Sequence, residues 1–188
     1  MKIVPLEMAL KSPKERGEIL HCIRGGVMVY PTDTVYGIGC NAENPAVVSR
    51  LRKIKKAAHP LSVIAPSKRW IDEKCIITKS ARAGLAKLPG KYTLILQKKD
   101  QSCLSLSSPG RTVGIRIPLH PFTRLIQKSG IPFVTTSANI SGQSVAQTVS
   151  SLPFVHDVDI TIDGGRLGKK ASAIIDCTGS KPVFIKRK

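Results

Sequence analysis

Two short polar segments, far apart in the chain, concentrate residue types that can hold small anions. One is Pro31-Thr32-Asp33-Thr34-Val35-Tyr36-Gly37; the other is Thr135-Thr136-Ser137-Ala138-Asn139-Ile140-Ser141-Gly142. Each follows an apolar run that reads as a buried strand, so its hydroxyls and amides stand at a strand exit. Ligands bind at such exits in open α/β sheets. Hydroxyls and amides there can hold phosphate or carboxylate groups, and glycine lets a ligand approach the backbone. A blander reading stays open for the first segment: Asp33 stabilises a turn and the threonines cap backbone groups.

Cations lie between these segments. Lys53-Ile54-Lys55-Lys56-Ala57-Ala58-His59-Pro60-Leu61 spans a helix end and the next strand. Basic residues at a helix C-terminus offset its dipole, which by itself explains them. The same placement lets Lys53 and Lys55 reach a strand-end cleft, where two ammonium groups could neutralise a triphosphate. His59, pinned by Pro60, is by default a structural histidine. Arg116 sits inside the apolar run Val113-Gly114-Ile115-Arg116-Ile117-Pro118. A charge is seldom buried without a partner, so Arg116 pairs with a protein acid or waits for an anionic ligand. Acids are scarce, which favours the ligand. Asp163-Gly164-Gly165 and Ala171-Ser172-Ala173 mix turn chemistry with anion-binding potential, and each alone is a weak signal. No Ser-His-Asp order, HExxH, paired carboxylates or GxxxxGK[ST] loop stands out. An enzyme of this sequence acting on phosphates would use dispersed cations and hydroxyls.

The totals support a phosphate-bearing partner. Thirty Lys and Arg against twelve Asp and Glu give +18, unevenly spread. From Asn44 to Ile71 there are seven bases and no acid, and from Gly164 to Lys188 seven bases and one acid. Such a surface favours RNA, DNA or a nucleotide. Aromatics make up only 4%, so base-stacking platforms are scarce. The 188 residues are expected to form a single domain, 1–188, with an ordinary soluble composition of 41% hydrophobic and 22% charged residues. Five cysteines, widely spaced and without a CxxC pair, suggest neither a zinc site nor a disulfide framework. Neither a signal-peptide stretch nor a membrane-length apolar run is present, and a cytoplasmic setting without membrane contact is the expectation.

The elements that would position these residues alternate. Ser12-Pro13-Lys14-Glu15 reads as a capped helix start with a capping box, running to about Arg24. Asn44-Pro45 opens a helix to about Lys56, and further helices are expected at 80–87, 121–128 and within 145–152. Strands are expected at 27–30, 61–65, 92–97, 113–117, 132–136, 158–162, 173–177 and 183–186. This order gives an α/β domain, with part of the sheet antiparallel where the late strands crowd together. The acid-free, serine-rich stretch 101–111 reads as a surface loop.

Taken in order, seven segments resemble the threonylcarbamoyl-AMP synthase family, whose members carry a YrdC-like domain. They are 31–37, 53–61, 89–93, 113–118, 136–142, 163–165 and 172–176, and the resemblance covers roughly Val27 to Lys186. It implies a twisted, mixed parallel and antiparallel sheet with flanking helices around a large basic cavity. It also implies that L-threonine, bicarbonate and ATP, with Mg2+, give threonylcarbamoyl-AMP and pyrophosphate. A downstream threonylcarbamoyl-transferase complex would then modify tRNAs reading ANN codons to t6A at position 37, with direct tRNA contact left open. No acid–base residue is implied; Lys53, Lys55, Ser137 and Asn139 would act by positioning. Those four and Lys186 would hold ATP, with the metal carried on its phosphates. Thr32, Thr34, His59, Arg116 and Ser172 would hold threonine, Arg116 pairing with its carboxylate.

Two departures stand out. The family usually reads Lys-x-Arg-Pro where this chain has Lys53-Ile54-Lys55-Lys56, so a flat guanidinium fork and a rigid turn are both replaced. The sequence also stops at Lys188, resembling the short, single-domain form rather than members with an extra C-terminal domain. The alternatives are a non-catalytic RNA- or tRNA-binding protein and an inactive relative of the same fold.

Overall fold

Every α-helix after the first starts where a side chain takes a free backbone N–H. Ser12 accepts from Glu15 N and opens α2 (Pro13–Gly25), which follows strand β1 (Lys2–Pro5) and helix α1 (Leu6–Lys11). The Glu15 carboxylate does not close the expected capping box; it lies 2.6 Å from the Lys2 ammonium, so a charged partner from β1 takes it instead. After β2 (Val27–Tyr30) and β3 (Gly37–Cys40), Asn44 accepts from Ala46 N and Val47 N at the start of α3 (Pro45–Lys55). Strand β4 (Ser62–Ile64) leads to α4 (Lys68–Lys74) and α5 (Lys79–Leu85), capped by Ser67 and Thr78. Strands β5 (Tyr92–Gln97) and β6 (Thr112–Arg116) precede α6 (Pro121–Lys128), whose first free N–H goes to His120 Nδ1. Strand β7 (Phe133–Ser137), two single 3-10 turns (Val149–Ser151 and Val155–Asp157) and strands β8 (Ile160–Asp163), β9 (Ala173–Asp176) and β10 (Val183–Ile185) complete the chain. This computed structural model describes residues 2–186.

The strands form one ten-stranded sheet in the order β1-β8-β2-β3-β7-β4-β6-β5-β9-β10. Parallel pairs (β1/β8, β2/β8, β4/β6, β5/β9) mix with antiparallel ones (β2/β3, β3/β7, β4/β7, β5/β6, β9/β10). The antiparallel pairing is therefore concentrated in the middle of the sheet. Of the late strands only β9 and β10 pair with each other; β8 inserts beside β2, and β9 beside β5.

Both faces of the centre are covered, which explains why Val27–Tyr30 reads as an unbroken apolar run. Val27 and Val29 join a core with Val48 and Leu51 of α3, whereas Met28 and Tyr30 join a second core with Ile19 and Ile23 of α2 and Phe122 and Ile126 of α6. Strand β3 is invisible to apolar patterning because it reads Gly-Ile-Gly-Cys. A Cβ on Gly39 would sit 2.0 Å from Val134 O, so β7 can approach β3 this closely only beside a glycine. Of the five free cysteines, Cys22, Cys40, Cys75 and Cys177 are buried, and burial pushes the first three thiols up to about 12. No helix among the described residues is long and apolar enough to cross a membrane.

Candidate functional site

β2 and β7 both run antiparallel to β3, so they point the same way and deliver the two polar segments to one end of the sheet. Tyr30 Oη donates to Thr135 Oγ1 at 2.7 Å, tying the two strands beneath their exits. A cavity of about 130 Å³ lies beside them, crossing β7, β4, β6, β5 and β9. Its polar lining comes from Ser62, Thr93, Thr135, Thr136, Ser137, Ser172, His59 and Arg116, with Val35, Leu61 and Ile174 as apolar walls. A large basic cavity, as the resemblance implies, is not seen at this site: Arg116 and His59 are the basic side chains in the lining.

Arg116 is the buried charge, 7% exposed. Its Nη2 donates to Asp33 Oδ1 at 2.7 Å and to Thr34 Oγ1 at 2.6 Å, with Thr32 Oγ1 at 3.4 Å. Asp33 Oδ2 also accepts from Leu119 N at 2.9 Å. Of the two fates foreseen for Arg116, the acid partner is therefore realised, in the one polar segment where an acid was available. Its Nε is buried and unpartnered, and such a donor costs about 1–3 kcal/mol when left without an acceptor. Thr32 and Thr34 do not line the cavity. Thr32 Oγ1 donates to Val35 O at 2.6 Å and accepts from Thr34 N at 3.1 Å, so this pair shapes the turn that holds Arg116. The turn-shaping reading of the first segment is the one the structure displays, with its hydroxyls turned to Arg116.

The 137–143 loop is held from below. Lys55, 2% exposed, donates from Nζ to Ser137 O at 2.6 Å and Asn139 O at 2.8 Å. The sequence placed this ammonium in an open cleft. The structure puts it under the loop, where two unpaired carbonyls attract it, and burial pushes its pKa down to about 8. Two of its three protons are spent. Ser137 Oγ donates to Asn139 Oδ1 at 2.5 Å, and the Asn139 amide donates to Ile140 O and Gln143 O. Asn139 is a loop-former next to Ser137 and is not itself part of the cavity lining. Lys56 ends α3 with φ 52°, a left-handed backbone that a proline, fixed near −65°, cannot adopt. The turn after α3 is consequently built differently from a Lys-x-Arg-Pro turn.

The remaining expected residues divide. His59 is exposed at the cavity mouth, and partial burial followed by the charges of Lys55 and Arg52 lowers its pKa. Ser172 Oγ lies 2.8 Å from Thr93 Oγ1 on the cavity wall. Lys53, on the last turn of α3, and Lys186, beyond β10, are exposed and outside the lining. Residue-type reasoning missed Ser62 and Thr93, single hydroxyls inside apolar strands whose only signal is that they interrupt the apolar run. It also missed Tyr36, whose hydroxyl donates to Gly165 O at 2.7 Å and accepts from Gly164 N at 3.0 Å, fixing the Asp163-Gly164-Gly165 turn.

A mixed parallel and antiparallel open sheet flanked by helices, with a hydroxyl-lined cavity that Arg116 also lines, defines the class of fold. The family model Sua5/YciO/YrdC, described as telomere recombination, matches residues 22–188, and the chain belongs to this family. YciO of Escherichia coli (strain K12) is 30% identical over 173 residues, covering 87% of this chain and 83% of that protein. Its crystal structure superimposes with a TM-score of 0.84 at 26% identity, covering 98% and 93% of the two chains. A protein of Xanthomonas campestris pv. campestris (strain B100) named threonylcarbamoyl-AMP synthase is 32% identical over 150 residues, covering 75% of this chain and 80% of that one. The crystal structure of P. abyssi Sua5 complexed with L-threonine matches with a TM-score of 0.82 at 27% identity; it covers 98% of this chain, which spans only 56% of that one.

Proposed function

We propose that this protein is a threonylcarbamoyl-AMP synthase, a nucleotidyltransferase acting on L-threonine, bicarbonate and ATP. The observation that carries the reading is the buried, unpartnered Nε of Arg116 beside a hydroxyl-lined cavity of about 130 Å³. An amino-acid carboxylate supplies the missing acceptor, and the volume suits an amino acid rather than a whole nucleotide. The threonine complex of the P. abyssi relative and the name of the Xanthomonas relative support the choice of amino acid and reaction.

In this scheme threonine's amine and bicarbonate give the N-carboxy derivative and water. Its carbamate oxygen attacks the α-phosphorus of ATP, and pyrophosphate leaves. Such a transfer depends on positioning and charge neutralisation, which matches a site without an acid–base pair. Arg116 holds the carboxylate, while Thr32, Thr34 and Asp33 hold Arg116. His59 and the Thr93–Ser172 hydroxyls close the threonine side. Ser137, on a loop shaped by Asn139 and held by Lys55, faces the nucleotide phosphates, and Lys53 and Lys186 approach them from outside the enclosed space. Among the described residues no cluster of three His, Cys, Asp or Glu could hold a metal alone. The hydroxyl and amide oxygens of Ser137 and Asn139 are hard donors that fit Mg2+ carried on the ATP phosphates, where it would spread the developing charge.

The product would feed a transferase complex that forms t6A on tRNA, and the +18 surface favours direct tRNA contact. The same charge supports a second reading, a non-catalytic RNA binder. Pyrophosphate release from ATP, in bicarbonate buffer with magnesium, separates them. The synthase releases it only when L-threonine is present; a binder releases none, and its tRNA affinity falls steeply with salt.

A further inference from the structure

Arg52 carries a guanidinium with nothing left to offer. Its Nε and Nη2 donate to Leu106 O at 3.1 and 2.9 Å, Nη2 also to Ser107 O at 3.2 Å, and Nη1 to Ala57 O at 3.1 Å and His59 O at 3.0 Å. A guanidinium has five N–H groups, and all of them go to main-chain carbonyls of two segments that are far apart in sequence. Leu61 N donates across the same seam to Ser107 O at 2.8 Å. On one side of the seam lies 57–61, whose His59, Pro60 and Leu61 form a wall of the cavity.

On the other side lies 101–108, part of the 101–111 stretch expected as a surface loop and exposed over most of its length. Its Ser107 and Ser108 are buried. Lys98, 4% exposed, donates to Gln101 O, Cys103 O and Ser108 O at 2.8–2.9 Å, spending all three protons of its ammonium inside this loop. The loop is thus a platform folded on its own cation. Arg52, together with the Leu61 N–Ser107 O bond, joins it to the cavity wall. The left-handed Lys56 turn makes that joint necessary, since the chain from 56 to 60 has neither helix nor strand bonding of its own.

We infer that Arg52 is a positioning residue: it docks the His59-Pro60-Leu61 wall of the cavity onto the 101–108 platform and so sets the site's grip on its amino-acid substrate. The kinetic part rests on the synthase reading, whereas the docking itself does not. An ammonium offers three donors from one nitrogen where the planar guanidinium offers five from three, so charge alone does not replace the fork.

The test uses the full chain with Arg52→Gln and Arg52→Lys. In both, amide hydrogen exchange is expected to rise at Leu61, Ser107 and their neighbours. The amides of Cys103 and Ser105, held within the platform, should keep their protection. The KM for L-threonine is expected to rise roughly tenfold, with kcat and the KM for ATP within about twofold. Arg52→Lys retains charge and stem and supplies the same readout where Arg52→Gln does not fold. Unchanged Leu61 protection in a folded variant overturns the docking. Raised exchange with an unchanged threonine KM overturns the positioning role. Where wild type releases no pyrophosphate, the synthase reading fails; L-threonine affinity by calorimetry then replaces KM, and the exchange measurement decides the docking unaltered.

Discussion

The end of β6 and the end of α3 each carry an arginine, and the two are used in opposite ways. At β6, Arg116 meets a carboxylate and two hydroxyls through one nitrogen and keeps a buried Nε unpaired beside the cavity. At α3, Arg52 has no carboxylate, yet every N–H is spent on main-chain carbonyls. Under the proposed function the unspent donor is the one left for the substrate carboxylate, and the fully spent set is a joint. Lys98 and Lys55 repeat the contrast: three bonds bury the first inside a platform, while two leave the second one proton beneath the loop that carries Ser137.

The largest effect should come from spoiling the unspent donor. Arg116→Lys can still face Asp33 but offers no fork, so threonine-dependent pyrophosphate release is expected to fall by about a hundredfold or more. Steady-state kinetics checks this, and a loss of less than about threefold would make the two arginines equivalent.

Lys55→Met removes the support under the second loop and leaves two carbonyls without a donor, a cost of about 1–3 kcal/mol in urea unfolding. A pH signature accompanies it. Burial lowers the Lys55 pKa in the folded chain to about 8 from 10.5, so across that window the unfolded chain binds a proton that the folded one lacks. Wild-type stability should therefore gain from this group as pH rises through the window, a gain that Lys55→Met lacks. Identical pH slopes in the two proteins would show that Lys55 stays charged through the window, as it would in a site no drier than the surface.

The smallest effect concerns the joint's charge. His59 is held below the usual histidine range by partial burial, then by Lys55 and Arg52. Arg52→Gln should raise its midpoint in an NMR titration, whereas Arg52→Lys should leave it nearly in place. Equal midpoints in wild type and Arg52→Gln would mean that Arg52 does not reach His59 electrostatically.

Much of the scaffold could be read from local chemistry. Ser12 and Asn44 cap their helices as their Pro neighbours suggest, and Val27–Tyr30 and Phe133–Ser137 deliver the two polar segments. Strand β3 stayed hidden because its glycines answer to the closeness of β7, a tertiary constraint. Strand β1 and helix α1 escaped because four and six residues carry too little periodicity to register. At the site, hydroxyls clustered in a motif could be found, whereas Ser62 and Thr93 stand alone in strands. The fates of the cations were the least legible. Lys53 and Lys55 are two residues apart, on opposite sides of α3, and only the fold decides that one is buried under a loop and the other exposed.

Direct titration of L-threonine, followed by calorimetry, tests the central claim without ATP or turnover. The account predicts saturable binding to the wild-type protein and a loss of at least about tenfold in affinity in Arg116→Lys. Equal binding to both proteins, or none to a folded wild type, would contradict the assignment of the unspent Arg116 donor to the substrate carboxylate.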